Sequence, residues 1–174
     1  MTTSDKNAWI GDALARHETP LVRYAYRMLG DQDTARDVVQ DCFLRLCRQD
    51  PEALGAHLRQ WLFTVCRNRA MDHLRKDGRM DALGETEVAA QTGEPSRHVE
   101  ELEEQGRVLD SIGRLPDRQR EVLHLKFREG MSYKQIGEIC DLSVSNVGWL
   151  LHSAIKTLRN QLGDQSAARG RSAS

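Results

Sequence analysis

Residues 78–97, GRMDALGETEVAAQTGEPSR, hold no sustained apolar stripe, and they divide everything else in the chain. On either side, apolar residues recur every three or four positions, the period of a helix that buries one face. The stretch itself is rich in Gly, Thr and acids, with Pro95 near its end, which marks a flexible linker and a domain boundary. A chain of 174 residues cut there leaves two pieces of small-domain size. The expected architecture is all-α: a helical domain over 1–77, an acidic linker over 78–97, a second helical domain over 98–162 and a disordered Gly/Ala/Ser/Arg-rich tail over 163–174.

Composition narrows the classes. Only 5% of residues are aromatic, and strand-like alternation is absent. No apolar run approaches the length that spans a bilayer. The N-terminus, MTTSDKNAWIGD, has no basic start followed by an apolar stretch, so no secretory signal is expected and the protein is expected in the cytoplasm. Cys42, Cys47, Cys66 and Cys140 form no CxxC pair, and reduced, partly buried thiols are expected. The net charge of -1 argues against a simple nucleic-acid binder, but the distribution is uneven. Residues 1–76 carry 12 Lys/Arg and 10 Asp/Glu, residues 77–113 carry 3 and 10, and residues 114–174 carry 10 and 6. Two mildly basic ends flank an acidic middle.

Helices are expected over 7–17, then from Pro20 through LVRYAYRML to Gly30, with Pro20 in the first turn of the second. Asp31, Asp33 and Thr34 offer caps for a third over 33–48, which Asp50-Pro51 ends. A fourth spans 55–77. Beyond the linker, helices are expected over 98–113, with Val99, Leu102, Val108, Leu109 and Ile112 apolar, and over 117–128, ended by Gly130.

The next two segments, SYKQIGEICD and SVSNVGWLLHSAIKTLRNQL, have helix-turn-helix spacing. Ile136, Cys140, Leu142, Val144, Val147 and Leu150 supply the apolar offsets, Gly137 the small residue where the helices cross, and Ser132 and Ser143 the caps. An ordinary helical hairpin fits the same pattern. In the second helix Val147, Leu150, Leu151, Ala154 and Leu158 face inward, while Ser145, Asn146, Trp149, Ser153 and Lys156 face outward. Asn and Ser can contact bases, and Trp149 can either meet a thymine methyl or pack on a neighbouring helix. Ser143 through Ile155 contain no Lys or Arg, so this face can read DNA but grips it poorly.

Two helices of the first domain have mixed outer faces. In DTARDVVQDCFLRLC, residues Ala35, Val38, Val39, Cys42, Phe43 and Leu46 make the core face, leaving Asp37, Gln40, Asp41 and Leu44 outside. An apolar Leu44 among acids suits a protein-docking surface, although a solvated charged face is the commoner reading. In HLRQWLFTVCRNRAMDHLRK, residues Leu58, Trp61, Leu62, Val65, Cys66, Ala70 and Leu74 fit a core, with Phe63 at the edge. Thr64, Arg67, Asn68, Met71 and Arg75 line another face, whose amide, hydroxyl, cations and thioether can cradle unstacked bases. A solvated basic helix end is the alternative.

Taken together, TARDVVQDCFLRL, LRQWLFTVCRNRAMDHLRK and LPDRQREVLHLKFREGMSYKQIGEICDLSVSNV resemble, in order, three blocks of the extracytoplasmic-function (ECF) sigma factors of the sigma-70 family. The resemblance covers roughly 8–160 and implies sigma region 2 followed by sigma region 4 with its helix-turn-helix. It implies that Asp37, Gln40, Asp41 and Leu44 dock on the clamp helices of the RNA polymerase largest subunit. Trp61, Thr64, Arg67, Asn68, Met71 and Arg75 then melt and capture the −10 element, with Asn68 bordering the pocket of an extruded base. The acidic linker would thread a channel that nascent RNA later occupies. The family's reading helix usually continues TVKSRLHRAR, but Gly148, Leu150, Ser153 and Ile155 replace its cations here. Either contact with −35 DNA is weak, or it falls to Lys134, Ser145, Asn146, Trp149, His152, Lys156 and Arg159. The implied partners are core RNA polymerase, including its flap region, and promoter DNA, and the family admits an anti-sigma factor. No membrane, cofactor, metal or catalytic residue is expected.

Two other readings stay open at this point. A conventional helix-turn-helix regulator would bind duplex DNA without polymerase. A metal or thiol protein would use Cys42, Cys47, Cys66 and His73, yet Cys42 and Cys47 are not at the spacing that shares a helix face.

Overall fold

The computed structural model describes residues 3–78 and 99–172, with side chains for 4–78 and 105–163. The expected linker therefore lies outside the described residues, apart from Gly78 in the turn that ends the first half. Among the described residues every element is helical, and none is long and apolar enough to cross a membrane. The chain divides into two compact units, one from residues 1–83 with the short stretch 138–141 and one from 84–137 with 142–174.

In unit 1, α1 (Thr3–Leu29) packs on both α2 (Gln32–Leu46) and α4 (Leu58–Lys76), which also pack on each other. A short α3 (Pro51–Leu54) and a 3-10 turn (Gly55–His57) join them. The break expected before Pro20 is absent, and α1 runs through it. Proline removes one backbone donor and costs about 3 kcal/mol inside a helix. Ala13 before it and Leu21, Tyr24, Ala25 and Leu29 after it are all buried, and that continuous buried face outweighs the loss. Gly30, at φ 70, ends the helix. Asp31 then caps α2, accepting from the Thr34 backbone N–H at 2.8 Å and from its hydroxyl at 2.6 Å. Asp50-Pro51 opens α3, with Asp50 accepting from the Glu52 N–H at 3.1 Å.

The core of unit 1 takes all six expected residues of α2 and Leu62, Cys66, Ala70 and Leu74 of α4. Phe63 corrects the expectation: it is fully buried and lies 5.1 Å from the ring of Tyr24, while Leu58, Trp61 and Val65 are only half-buried. Helical spacing gives a face its centre but not its edges, and here α1 turns the face toward Phe63.

In unit 2, α5 (Val99–Gly113) and α6 (Asp117–Leu123) both pack on α8 (Val144–Ser172). Among the described side chains of α5, Ser111 is fully buried and Leu109 is exposed. The helix expected over 117–128 changes character at His124, where His124–Arg128 widens into a π-helical turn. Its backbone closes through the Glu129 N–H donating to the His124 carbonyl at 3.2 Å. That turn brings the buried His124 Nε2 within 3.3 Å of Glu129 Oε1. Arg120, also buried, donates to the Gly113 carbonyl at 3.1 Å and so ties α6 to the end of α5. The last helix is longer than composition suggests: it continues to Ser172, through residues expected to form a disordered tail. Ala167 and Ala168 extend an already packed helix at little cost, since propagation is easier than nucleation.

Candidate protein-docking and nucleic-acid surfaces

The outer face of α2 carries Asp37, Gln40 and Leu44 in the open, with Leu44 59% exposed. Asp41 is placed differently from its neighbours. Its Oδ2 lies 2.5 Å from Arg69 Nε on α4 and 3.6 Å from Arg45 Nε. Arg69 is in turn 3.8 Å from Asp72, which holds Arg75 at 3.2 Å. One carboxylate expected on a docking surface is thus the end of an ion-pair ladder that joins α2 to α4. Beside it, Asp41, Leu44, Arg45, Arg48, Gln49, Trp61 and Val65 line an open groove of ≈ 420 Å³. Leu44, Trp61 and Val65 give it apolar wall among polar and basic side chains.

On α4, Thr64, Asn68, Met71 and Arg75 recur at four, three and four residues and so share one row. Asn68 and Arg75 are exposed, while Arg67 and Met71 are half-buried. The Thr64 hydroxyl donates to the Gln60 carbonyl at 2.9 Å, so it presents mainly its methyl group outward. Trp61 stands two turns before Asn68 on the same side of the helix and also lines the groove beside Leu44. It belongs to both surfaces, which the sequence reading kept apart.

In unit 2 the corner of the helix-turn-helix is built by backbone geometry. α7 (Tyr133–Cys140) begins with a reciprocal cap: the Gln135 N–H donates to Ser132 Oγ at 3.2 Å, and the Ser132 N–H donates to Gln135 Oε1 at 2.9 Å. It ends at Asp141, which takes φ 55, while the Leu142 N–H donates to the Gly137 carbonyl at 2.8 Å. A Cβ on Gly137 would lie 2.6 Å from the Leu142 carbonyl oxygen, so only glycine fits the turn as built. Ser143 caps α8, accepting from the Asn146 N–H at 3.1 Å.

α8 buries Val147, Leu150, Leu151 and Ala154, as its periodicity predicts, with Leu158 half-buried. Lys134, Ser145, Asn146, Trp149, His152, Lys156 and Arg159 are all exposed. Of these, Ser145, Trp149, His152, Lys156 and Arg159 form one unbroken row at alternating spacings of four and three. Asn146 stands beside it on α8, and Lys134 is on α7. Tyr133 was not foreseen: it is 42% exposed, with Lys126 Nζ 5.3 Å from its ring centre and the Cβ position of Gly148 3.6 Å from the ring. Its signal was the missing side chain at Gly148, which leaves room for a ring from the preceding helix.

The four cysteines are free thiols, and only Cys47 is exposed. A hydrogen bond with Cys42, then burial, pushes the Cys66 thiol well above its usual range. A thiol held protonated is a poor nucleophile and a poor ligand. Among the described residues no three His, Cys, Asp or Glu side chains stand together as a metal set.

Comparison with known proteins adds to this geometry. The family model "Sigma-70 region 2" matches residues 13–80, and "Sigma-70, region 4" matches residues 105–158. The chain is 32% identical over 160 residues to the ECF RNA polymerase sigma factor SigL of Mycobacterium tuberculosis, with 88% of each protein covered. It is 31% identical over 145 residues to the ECF RNA polymerase sigma factor SigK of a Mycobacterium species, covering 79% of this chain and 74% of that one. A solved structure of the sigma factor RpoE in complex with the anti-sigma factor NepR from Bartonella quintana shares the fold, with TM-score 0.66 at 23% identity over 88% of this chain and 96% of that one. Two helical units matched in order, one ending in an α4 suited to unstacked bases and the other in a helix-turn-helix, belong to one family: the chain is a member of the ECF RNA polymerase sigma factors of the sigma-70 family.

Proposed function

We propose that the chain is a dissociable promoter-specificity subunit that works in the cytoplasm on core RNA polymerase. Unit 1 docks on the clamp helices of the largest subunit through Asp37, Gln40 and Leu44, with Asp41 contributing from its ion pair with Arg69. The row Thr64, Asn68, Met71 and Arg75, flanked by Arg67 and Trp61, receives the −10 bases once they unstack. Extruding a base costs a few kcal/mol, so a surface that stacks it and binds its edge must be ready beforehand. Unit 2 lays α8 in the major groove of the −35 element, with Lys134, Ser145, Asn146, Trp149, His152, Lys156 and Arg159 toward DNA, and meets the polymerase flap region.

The observation that carries this reading is the α4 row in the same chain as a helix-turn-helix closed at Gly137. A duplex-binding regulator has no use for a row suited to unstacked bases. A weak reader on α8 is also tolerable in a subunit whose two units act on one assembly, because tethering raises the local concentration of the second contact. The RpoE relative is seen bound by an anti-sigma factor, and an anti-sigma factor is a proposed partner here as well. The test is transcription by purified core polymerase over genomic fragments, with and without the chain. Specific start sites that need the chain support the reading. Tight polymerase-free duplex binding with no initiation would replace it by the conventional regulator.

A further inference from the structure

The reading helix of unit 2 is defined by what it lacks. From Ser143 to Ile155 it has no Lys or Arg, and the fold explains two of the places where a cation is missing. Leu150 is buried in the unit and Ile155 is half-buried, so both side chains serve packing. What the outer row offers instead is Trp149, 65% exposed, between Ser145 and His152. Its indole is the one large apolar group in that row, with an amphipathic ring suited to a contact that is part apolar and part wet.

The rest of the row says what that partner is. Lys156 and Arg159 continue it for two further turns, and Lys134 stands at the start of α7. Cations at the far end of an otherwise neutral row suit a polyanion whose backbone crosses there. The neutral turns then lie against base edges. In the major groove the one apolar feature a base pair presents is the 5-methyl group of thymine. Ser145 and Asn146 beside the indole can pair with neighbouring acceptors and donors, adenine being the usual partner of Asn.

We infer that Trp149 is the specificity-determining residue of unit 2, selecting −35 DNA that presents a thymine 5-methyl group to its indole. This rests on the promoter-subunit reading above. It carries a second consequence: the three cations assigned to this face, at 134, 156 and 159, would add about −2.7 to the logarithmic salt slope. Those phosphate contacts carry no sequence information, so discrimination among −35 sequences is expected to change little with salt.

The experiment uses the full chain with core polymerase on a promoter library whose −35 region is randomised, prepared once with thymine and once with uracil, which lacks the methyl group. Transcripts are counted for each template. The wild-type chain is expected to favour thymine at one or more positions by roughly tenfold, the low end of what one methyl group is worth in an apolar contact. That preference should shrink to about twofold on the uracil templates. Trp149→Ala should treat the two libraries alike, and Trp149→Phe, which keeps a ring, should retain part of the preference. Equal preference for thymine and uracil by the wild type, or undiminished discrimination by Trp149→Ala, overturns the inference and leaves the sigma-factor reading standing. Transcription with no −35 preference at all overturns it too. Absence of transcripts from every template in both libraries overturns the promoter-subunit reading itself.

Discussion

The outer rows of α4 and α8, both proposed to contact DNA, are held in place by different means. The α4 row is held by side chains: an ion-pair ladder from Asp41 through Arg69 and Asp72 to Arg75 ties it to α2. The α8 row is held by backbone: caps at Ser132 and Ser143 and a turn that only Gly137 permits. The α4 face mixes cations with an amide and a thioether, whereas the first three turns of α8 are uncharged. A helix that must capture separated bases needs stacking surface and charge together, because the strand brings its phosphates with it. A helix that reads an intact groove can leave the grip to others. The lesson is that unit 2 depends on exact backbone placement and unit 1 on adjustable side chains.

Substitutions can break this contrast, beginning with the largest expected effect. Gly137→Ala forces a methyl group to 2.6 Å from a backbone oxygen, so unit 2 should lose about 1–3 kcal/mol of stability in chemical denaturation. A loss below half a kcal/mol would mean the turn can relax, and the backbone account of α8 would fail. Asn68→Ala should slow open-complex formation about tenfold, the value of one base contact, with polymerase affinity unchanged. Permanganate reactivity of the −10 thymines measures it, and undiminished melting would remove Asn68 from the capturing face.

Asp41→Asn separates docking from folding. Asp41 and Arg69 are each about one-third exposed, so solvent screening limits the stability loss to about 0.5 kcal/mol. Polymerase affinity should fall further with Asp41→Lys, roughly tenfold, because the charge on the docking face is reversed. If Arg69→Ala lowers affinity as much as Asp41→Lys, the ladder positions the docking face and the carboxylate does not touch polymerase.

The smallest effect concerns the buried thiols. The folded-state pKa of Cys66 is raised above its ordinary value of 9.0, so the unfolded chain ionises first as pH rises. Its stabilising contribution is fully present below pH 9 and is lost as pH climbs from there toward the folded value. Thermal unfolding of unit 1 should be flat through neutral pH on this account and decline above about pH 9, and Cys66→Ala should flatten the decline. An unchanged slope would assign the alkaline loss to other groups.

Much of this was legible before any coordinates. The six buried residues of α2 and the four fully buried residues of α8 follow from spacing, because a helix with one apolar stripe has one way to bury it. Ser145, Asn146, Trp149 and Lys156 are exposed as the same periodicity predicts, whereas Ser153, expected beside them, is half-buried. Gly137 and the two capping serines were legible because backbone geometry narrows the residues that fit. Asp41, Trp61, Phe63 and Tyr133 were not. Each has its role decided by a second element: Asp41 by Arg69, Trp61 by the groove against α2, Phe63 by Tyr24 and Tyr133 by the bare backbone at Gly148.

The sequence by itself determined the all-α class, the two-part organisation, the turn of the helix-turn-helix and the neutral character of its reading row, since each depends on neighbours within a turn or two. Only the tertiary structure decided that α1 runs through Pro20, that Asp41 belongs to an interhelical ion pair and that Phe63 lies in the core. Those outcomes turn on which surfaces meet across helices, and the energy of burying a face or pairing a charge is set by the partner as much as by the residue.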